Sequence, residues 1–463
     1  MNPIKAKWSK LALATSLSFA LLLSSPGLPA YGQQASQEQT VPNAASGQQE
    51  NYSLFLQDKY KVVVGDSLTK GGFIQLVAQV LNYAPSEEAT APSFADLDKS
   101  NPYYPASAAL YEQGILTASE VNADRPLDVF QAVFIAVKAA GLKELAYTYP
   151  QEKTDKTLAK LNLAPDVYLS KEAAQELAVA IDTGLVSPAF YEALRTNSAA
   201  SKVFAEELLG KILAYRGQYK QYLGEVNDPD IYSKLIQAYN TSDIIEAPEL
   251  QQIVNSALEN GLVTGYNLKD SRFDSNFIDS LSLTYGHSNI EHALQLIGLL
   301  RSEGLNAKVQ LEPKTSAFIH LAEWGEPTES DTNRLTQIDN GNYIFSAKEY
   351  DLSFEFNTVD DKNRFQPIVL QYAKKDSEDQ AGLILGSWWQ PLYYSLTEIA
   401  DYEIIANNKI VGGPYYAQSF SLENDSQQIA DGFRKLDPDL DILTYTFWVD
   451  KPFHNYLTGD DFK

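Results

Sequence analysis

The 463-residue chain contains no cysteine, which excludes disulfides, thiol catalysis and a lipid-modified N-terminal cysteine together. Positive charge is the next deficit: 36 Lys and Arg stand against 60 Asp and Glu, a formal net charge of −24. Such a surface repels phosphate, so no nucleic-acid partner is expected. An anionic ligand would have to be held by local cationic pockets rather than by the field of the whole molecule. Long apolar runs are scarce as well. The run "LALATSLSFALLLSS" is shorter than the ~20 residues a spanning helix needs. It follows Lys5, Lys7 and Lys10 and precedes the small residues of "AYG", the order of a secretory signal. Residues 1–32 therefore read as a signal peptide with the mature chain starting near Gln33, and no membrane span is expected after its removal.

Apolar residues make up 44% of the chain, enough to build two or three domains of ordinary size. Residues 33–52, rich in Gln, Ser and Ala, bury too little to order themselves and read as a disordered polar spacer. From 53 to about 306 the periodicity is helical. Beyond that, "NYIFSAKEYDLSFEF" and "DILTYTFWVD" alternate like strands, and "KNRFQPIVLQYAKK" and "SQQIADGFRKL" have the period of helices. The expected fold class is multidomain: a mainly α-helical bundle of helix pairs, then an α+β C-terminal domain over 310–463.

The helical region repeats. "YEQGILTAS", "IDTGLVSP" and "LENGLVTGY" each end an amphipathic helix at a glycine, Gly114, Gly184 and Gly261, followed by two branched apolar residues. After each comes a loop and a second helix: "LDVFQAVFIAVKAAGL", "ASKVFAEELLGKILAY" and "LTYGHSNIEHALQLIGLL". The stretch "LTKGGFIQLVAQVLNY" fits the same place in a unit whose first half is missing or reduced, so four second helices line up.

The arrangement resembles the S-layer homology module of Gram-positive surface proteins. "FADLDKSNPYYPASAALYEQGILT" carries its first half through Phe94, Asp96, Tyr103, Tyr104, Gly114 and Ile115. Thr69-Lys70 and Ser201-Lys202 look like the Thr-Arg pair that opens the family's second helix, with lysine for arginine; Asp128-Val129 and Thr284-Tyr285 lack the cation. Gly71 and Gly72 stand where the family has Ala-Glu. The resemblance implies a groove for acidic cell-wall polysaccharide, with Thr69, Lys70, Asp96, Tyr103, Tyr104, Ser201 and Lys202 as the glycan-binding residues. On the residues alone, Thr69 and Ser201 also suit helix caps. A lysine in the first helical turn opposes the helix dipole, which favours an anion nearby.

Other constellations carry less. His287 and His292 are five residues apart and do not share a helical face, so with Glu291 and His320 they make no zinc motif. Asp437, Asp439 and Asp441 begin like a calcium loop, but Ile442 and Trp448 occupy the places of its Gly and Glu; a turn before a strand is expected. Trp388, Trp389, Tyr393, Tyr394, Tyr415 and Tyr416 could stack on sugars or fill a core. No phosphate loop, dinucleotide turn or nucleophile elbow is present, and no cofactor is expected. The expected function is that of a secreted protein held at the wall or surface of a Gram-positive bacterium through non-covalent binding of anionic polysaccharide. The alternatives are a glycan- or peptidoglycan-acting hydrolase with its carboxylates in the C-terminal domain, and a scaffold with eroded repeats that binds nothing.

Overall fold

The computed structural model describes residues 50–86, 93–163, 167–370 and 393–460. The leader, most of the spacer and the Trp388-Trp389 pair lie outside them. From Asn51 onward the chain forms one compact unit, in which a ring of helices is followed by a β-barrel.

Three helices make the centre of the ring: Lys70–Val80, Val129–Ala139 and Lys202–Tyr215, each in contact with the other two. Each is preceded in sequence by a shorter one, Tyr52–Tyr60, Tyr104–Glu112 and Lys171–Asp182. These flanking helices pack against the central helix of a neighbouring unit, Tyr52–Tyr60 on Lys202–Tyr215, Tyr104–Glu112 on Lys70–Val80, and Lys171–Asp182 on Val129–Ala139. The ring is closed by its first helix, so the half-unit that reads in the sequence as missing or reduced is present in nine residues. Phe73, Val77, Val133, Ala136, Phe204 and Leu208 meet in its core. Gly114 and Gly184 do stop their helices, at φ +68 and +74, values that a side chain would strain.

The fourth second helix does not belong to the ring. Residues 282–287 are a strand, and the helix Ile290–Ser302 after it lies on the outside of the barrel. The expectation of a mainly helical bundle with a separate α+β layer is therefore corrected: the fold is 44% helix and 21% strand, and its strands close into an eight-stranded antiparallel barrel with two extra strands. These begin at β1 (Gly224–Glu225), β2 (Gly265–Asp270) and β3 (Ser282–His287), all upstream of the change of periodicity near 306. The others are β4 (Ala307–His320), β5 (Asn333–Gln337), β6 (Tyr343–Phe356), β7 (Tyr393–Ser395), β8 (Glu403–Gly412), β9 (Tyr415–Ser421) and β10 (Asp441–Val449). Round the barrel the order is β4, β2, β9, β8, β10, β7, β3, β6 and back to β4, while β1 and β5 extend β4 and β6.

Alternation puts the apolar residues outside. Leu283, Leu352 and Phe354 face the helices Ile231–Thr241, Ile290–Ser302 and Val359–Leu370; Leu268, Ile410 and Ala417 face Pro248–Glu259 and Glu423–Leu436. The polar faces point inward. At one end Phe453, on the final helix Lys451–Thr458, packs on the inward Tyr394, Ile405, Phe447 and Val449 and plugs the barrel. Pro313 lies inside β4 between the residues paired with β1 (308–309) and those paired with β2 (314–318), where a missing amide matters least. At the other end Lys59 of the ring pairs with Asp279 at 2.5 Å, and Ile278 and Leu281 enter the core of the ring.

Candidate functional site

Among the described residues two cavities gather several charged side chains: a cleft at the start of a ring helix, and the barrel interior.

The cleft is built by three helix starts stitched side by side. Lys70 donates its backbone N–H to the carbonyl of Arg125 and Leu127 to that of Leu68; Val129 donates to Ser198 and Ala200 to Leu127. Each start is capped by its own side chain: Thr69 accepts from the Gly72 amide, Asp128 from Gln131 and Ser201 from Phe204. Asp128, which lacks the following cation, caps as the others do. A cavity of about 140 Å³ opens here, lined by Lys70, Leu116, Thr117, Gln131, Phe134 and Lys138 among others. Lys138 is ion-paired with Glu176 at 2.7 Å, whereas the Lys70 ammonium has no ion pair among the described residues. Burial pulls Lys70 below its ordinary range, and Asp96 and Asp128 draw it back.

The remaining residues expected to bind glycan divide sharply. Asp96 accepts from the amides of Val121 and Asn122 at 2.8 and 2.5 Å and so pins the loop that borders the cleft. Desolvation works against its charge, but those amides and Lys70 hold its carboxyl below the usual carboxylate range. Tyr104 is buried edge-on against Phe94. Lys202 lies 3.9 Å from Glu206, one turn along its own helix.

Tyr103 explains the first of the two glycines. The Gly71 amide donates to Ala123 at 2.8 Å, and a Cβ on Gly71 would meet the Tyr103 ring at 2.7 Å and the Ala123 methyl at 2.8 Å. Gly72 has room, its nearest contact being Thr69 Oγ1 at 3.4 Å. Gly71→Ala should thus lose about 1–3 kcal/mol by overpacking, while Gly72→Ala should gain about 0.5–1 kcal/mol through helix propensity. Urea unfolding of the two variants measures the split, and equal effects would refute it.

The barrel interior is charged. Across β2 and β4 Lys269 stands opposite Lys314, and across β4 and β6 Glu312 stands opposite Asp351. Like charges facing each other are unfavourable, and here they are resolved along the diagonals. Lys269 reaches Glu312 at 2.5 Å and Asp351 at 2.8 Å; Lys314 reaches Asp351 at 2.7 Å and Glu349 at 3.7 Å. Tyr394 donates to Asp351 and Ser353 to Glu312. Burial opposes the charge on both Lys269 and Asp351, yet their partners win: Lys269 is held well above its ordinary range and Asp351 well below.

Beside this network lies a cavity of about 230 Å³, bounded by Lys59, Asp274, Lys409, Tyr416, Gln418, Tyr445 and Phe447 with others. Tyr416 donates to Asp274 at 2.8 Å. Burial, reinforced by the neighbouring Glu312 carboxylate, pushes Asp274 up to about 6. Burial lowers Lys409, opposed by Asp274. Its ammonium sits 3.6 Å from the centre of the Tyr416 ring. The cavity does bring the carboxyls of Asp274, Asp279 and Glu312 together, but Asp279 is paired with Lys59, and Glu312 is occupied by Lys269, Ser353 and the Ser275 amide.

Of the aromatics, Tyr394 and Tyr416 point into the barrel, Tyr393 packs outside it, and Tyr415 stacks with Arg272. His287 and His292, split between β3 and the next helix, stack at 4.1 Å. Asp437 accepts from the Asp439 amide in the turn before β10. The sequence motifs do not single out Lys269, Asp274, Glu312, Lys409 or Gln418. For Lys269 and Glu312 the signal is charged residues alternating with apolar ones in "GYNLKD" and "KVQLEPKTS".

No family model matches the chain, and no curated protein is significantly similar to it. No helix among the described residues is long and apolar enough to cross a membrane.

Proposed function

We propose that the helical ring anchors an exported protein at the surface of a Gram-positive bacterium by binding anionic wall polysaccharide, as its S-layer homology resemblance implies, and that the contact is made at the Lys70 cleft. One observation carries the reading: Lys70 lines a cavity of about 140 Å³ at the mouth of a helix and has no carboxylate within ion-pair distance among the described residues. The amides that open this helix are already taken by Arg125, Ala123 and Thr69, so the attraction for an anion rests on the half-buried cation without a counter-ion. The ring of paired helices agrees with the resemblance, in three units rather than four. Thr69, Ser201, Asp96 and Tyr104 support the groove by capping, pinning and packing. Lys202, already beside Glu206, contributes little.

Co-sedimentation of the full chain with purified walls tests this. Lys70→Ala should weaken binding by about 10- to 150-fold, since a charge-assisted hydrogen bond contributes roughly 1.5–3 kcal/mol. Lys202→Ala should change it less than about threefold, because its charge is already answered by Glu206 one turn along, and such a helix pair is worth ~0.3–0.5 kcal/mol. Added salt should weaken the parent. Undiminished binding by Lys70→Ala, or by the parent to walls stripped of polysaccharide, would return the ring to a purely structural role.

A further inference from the structure

We propose that the barrel cavity is a binding site for a single neutral sugar unit, recognised through its hydroxyl groups and one apolar ring face. The inference stands apart from the Lys70 cleft.

The first ground is what the cavity leaves unsatisfied. Gln418 is 3% exposed and Asn407 fully buried, and neither Gln418 Oε1 nor Asn407 Oδ1 has a hydrogen-bond partner among the described residues. Their amide nitrogens are used: Asn407 donates to the Tyr445 hydroxyl at 3.0 Å, and Gln418 bonds the same hydroxyl. Of these two buried acceptors Gln418 Oε1 belongs to a residue that lines the cavity, and it waits there for a donor. On β8, directly opposite Gln418, Lys409 offers the converse, an ammonium that among the described residues lies against the Tyr416 ring. A buried amide oxygen without a partner costs about 1–3 kcal/mol, so such a pair calls for an occupant.

Charge balance narrows the class. An anion entering here would meet Asp274, Asp279 and Glu312, and a cation would meet Lys59, Lys269 and Lys409. Both signs are already present and mostly cancelled. A hydroxyl is neutral, donates to Gln418 or Asp274, and accepts from Lys409 or Tyr445. Several hydroxyls on one rigid frame would satisfy the set together.

Shape supplies the last restriction. Tyr394 and Phe447 stack at 4.3 Å and 16°, with Tyr445 edge-on to Phe447 at 5.4 Å, so one wall is aromatic. Such a wall suits the C–H face of a sugar ring. The volume of about 230 Å³ lies below the ~300–1,000 Å³ of drug-sized pockets and fits one ring. Leu396, 42% exposed, stands at the rim and leaves a way in, which admits either a free monosaccharide or the terminal unit of a glycan.

Saturation-transfer NMR on the full chain, with D-glucose, D-galactose, N-acetyl-D-glucosamine and their β-linked dimers as probes, tests the site. At least one monosaccharide should bind with a Kd on the order of 1 mM. Equal response to the dimer marks a glycan terminus, and loss of response marks a free sugar. Gln418→Leu should weaken binding at least tenfold, Tyr445→Phe and Lys409→Met severalfold, and Lys70→Ala not at all. If Gln418→Leu fails to fold by circular dichroism, the other two cavity variants decide. Silence across the whole panel, or unchanged binding in the folded cavity variants, leaves water as the only occupant and overturns the proposal.

Discussion

Lys269→Met should destabilise the protein by about 3–5 kcal/mol at pH 7, the usual result of removing one partner from a buried charge network. Lys269 is 2% exposed and is the only ammonium within ion-pair distance of Glu312 among the described residues. Without it Glu312 and Asp351 face each other across β4 and β6 in a desolvated barrel, with Lys314 left to serve Asp351 and Glu349. Methionine keeps the length of the side chain, so the loss reports charge rather than a cavity. Adding Glu312→Gln should restore part of the stability, because it removes the stranded negative charge. Urea unfolding of the parent, the single and the double variant measures this. A loss under about 1 kcal/mol would mean that the diagonal pairs do not hold the barrel.

Asp274→Asn should do the opposite, and only above a certain pH. The Asp274 carboxyl is pushed from an ordinary 3.8 up to about 6, so the folded protein holds its proton more tightly than the unfolded chain does. Below pH 4 both states are protonated and nothing is lost. Between pH 4 and 6 the unfolded chain ionises first, and stability falls. Above pH 6 the penalty is complete, roughly 3 kcal/mol for a shift of about two units. Asparagine avoids that penalty but accepts more weakly from Tyr416, a loss of about 1 kcal/mol. The variant should therefore be more stable than the parent by about 1–2 kcal/mol at pH 8 and no more stable at pH 4. Melting temperatures across that range decide it, and a gain independent of pH would contradict the assignment to Asp274.

The ring is legible in the sequence because its signals are local. Ser, Thr or Asp before an apolar run marks a cap, and glycine after one marks a stop; Thr69, Asp128, Ser201, Gly114 and Gly184 act as their types suggest. The same logic overreaches at Gly261. That glycine also ends a helix, but the next element is β2, and the choice is made by β4 and β9, about 50 and 150 residues away. The strands β6 and β10 can be recognised by alternation. Closure cannot, since nothing local records that β4 finds both β6 and β2. A polar interior hides the rest: Lys269, Glu312 and Lys314 look like the solvent face of ordinary strands, and Pro313 argues against a strand altogether. At the cleft, residue type locates Lys70. Only geometry separates it from Lys202, whose neighbour Glu206 answers the charge that Lys70 leaves open.

The inward charges also bear on how the chain reaches its final shape. Among the described residues the last barrel strand, β10, ends at Val449, so the cylinder cannot be completed until the chain is available as far as that residue. Pairings this distant in sequence form late, and a sheet waiting with open edges invites association with other chains. In most barrels the waiting concave face would be greasy. Here it carries Lys269, Glu312, Lys314, Glu349 and Asp351, side chains well solvated until the sheet curls shut. The convex apolar face is meanwhile covered by helices close at hand in sequence, Ile290–Ser302 next to β3 and Val359–Leu370 next to β6. A half-assembled cylinder thus turns its wettable side outward, and desolvation of those charges is deferred to the moment when their partners arrive.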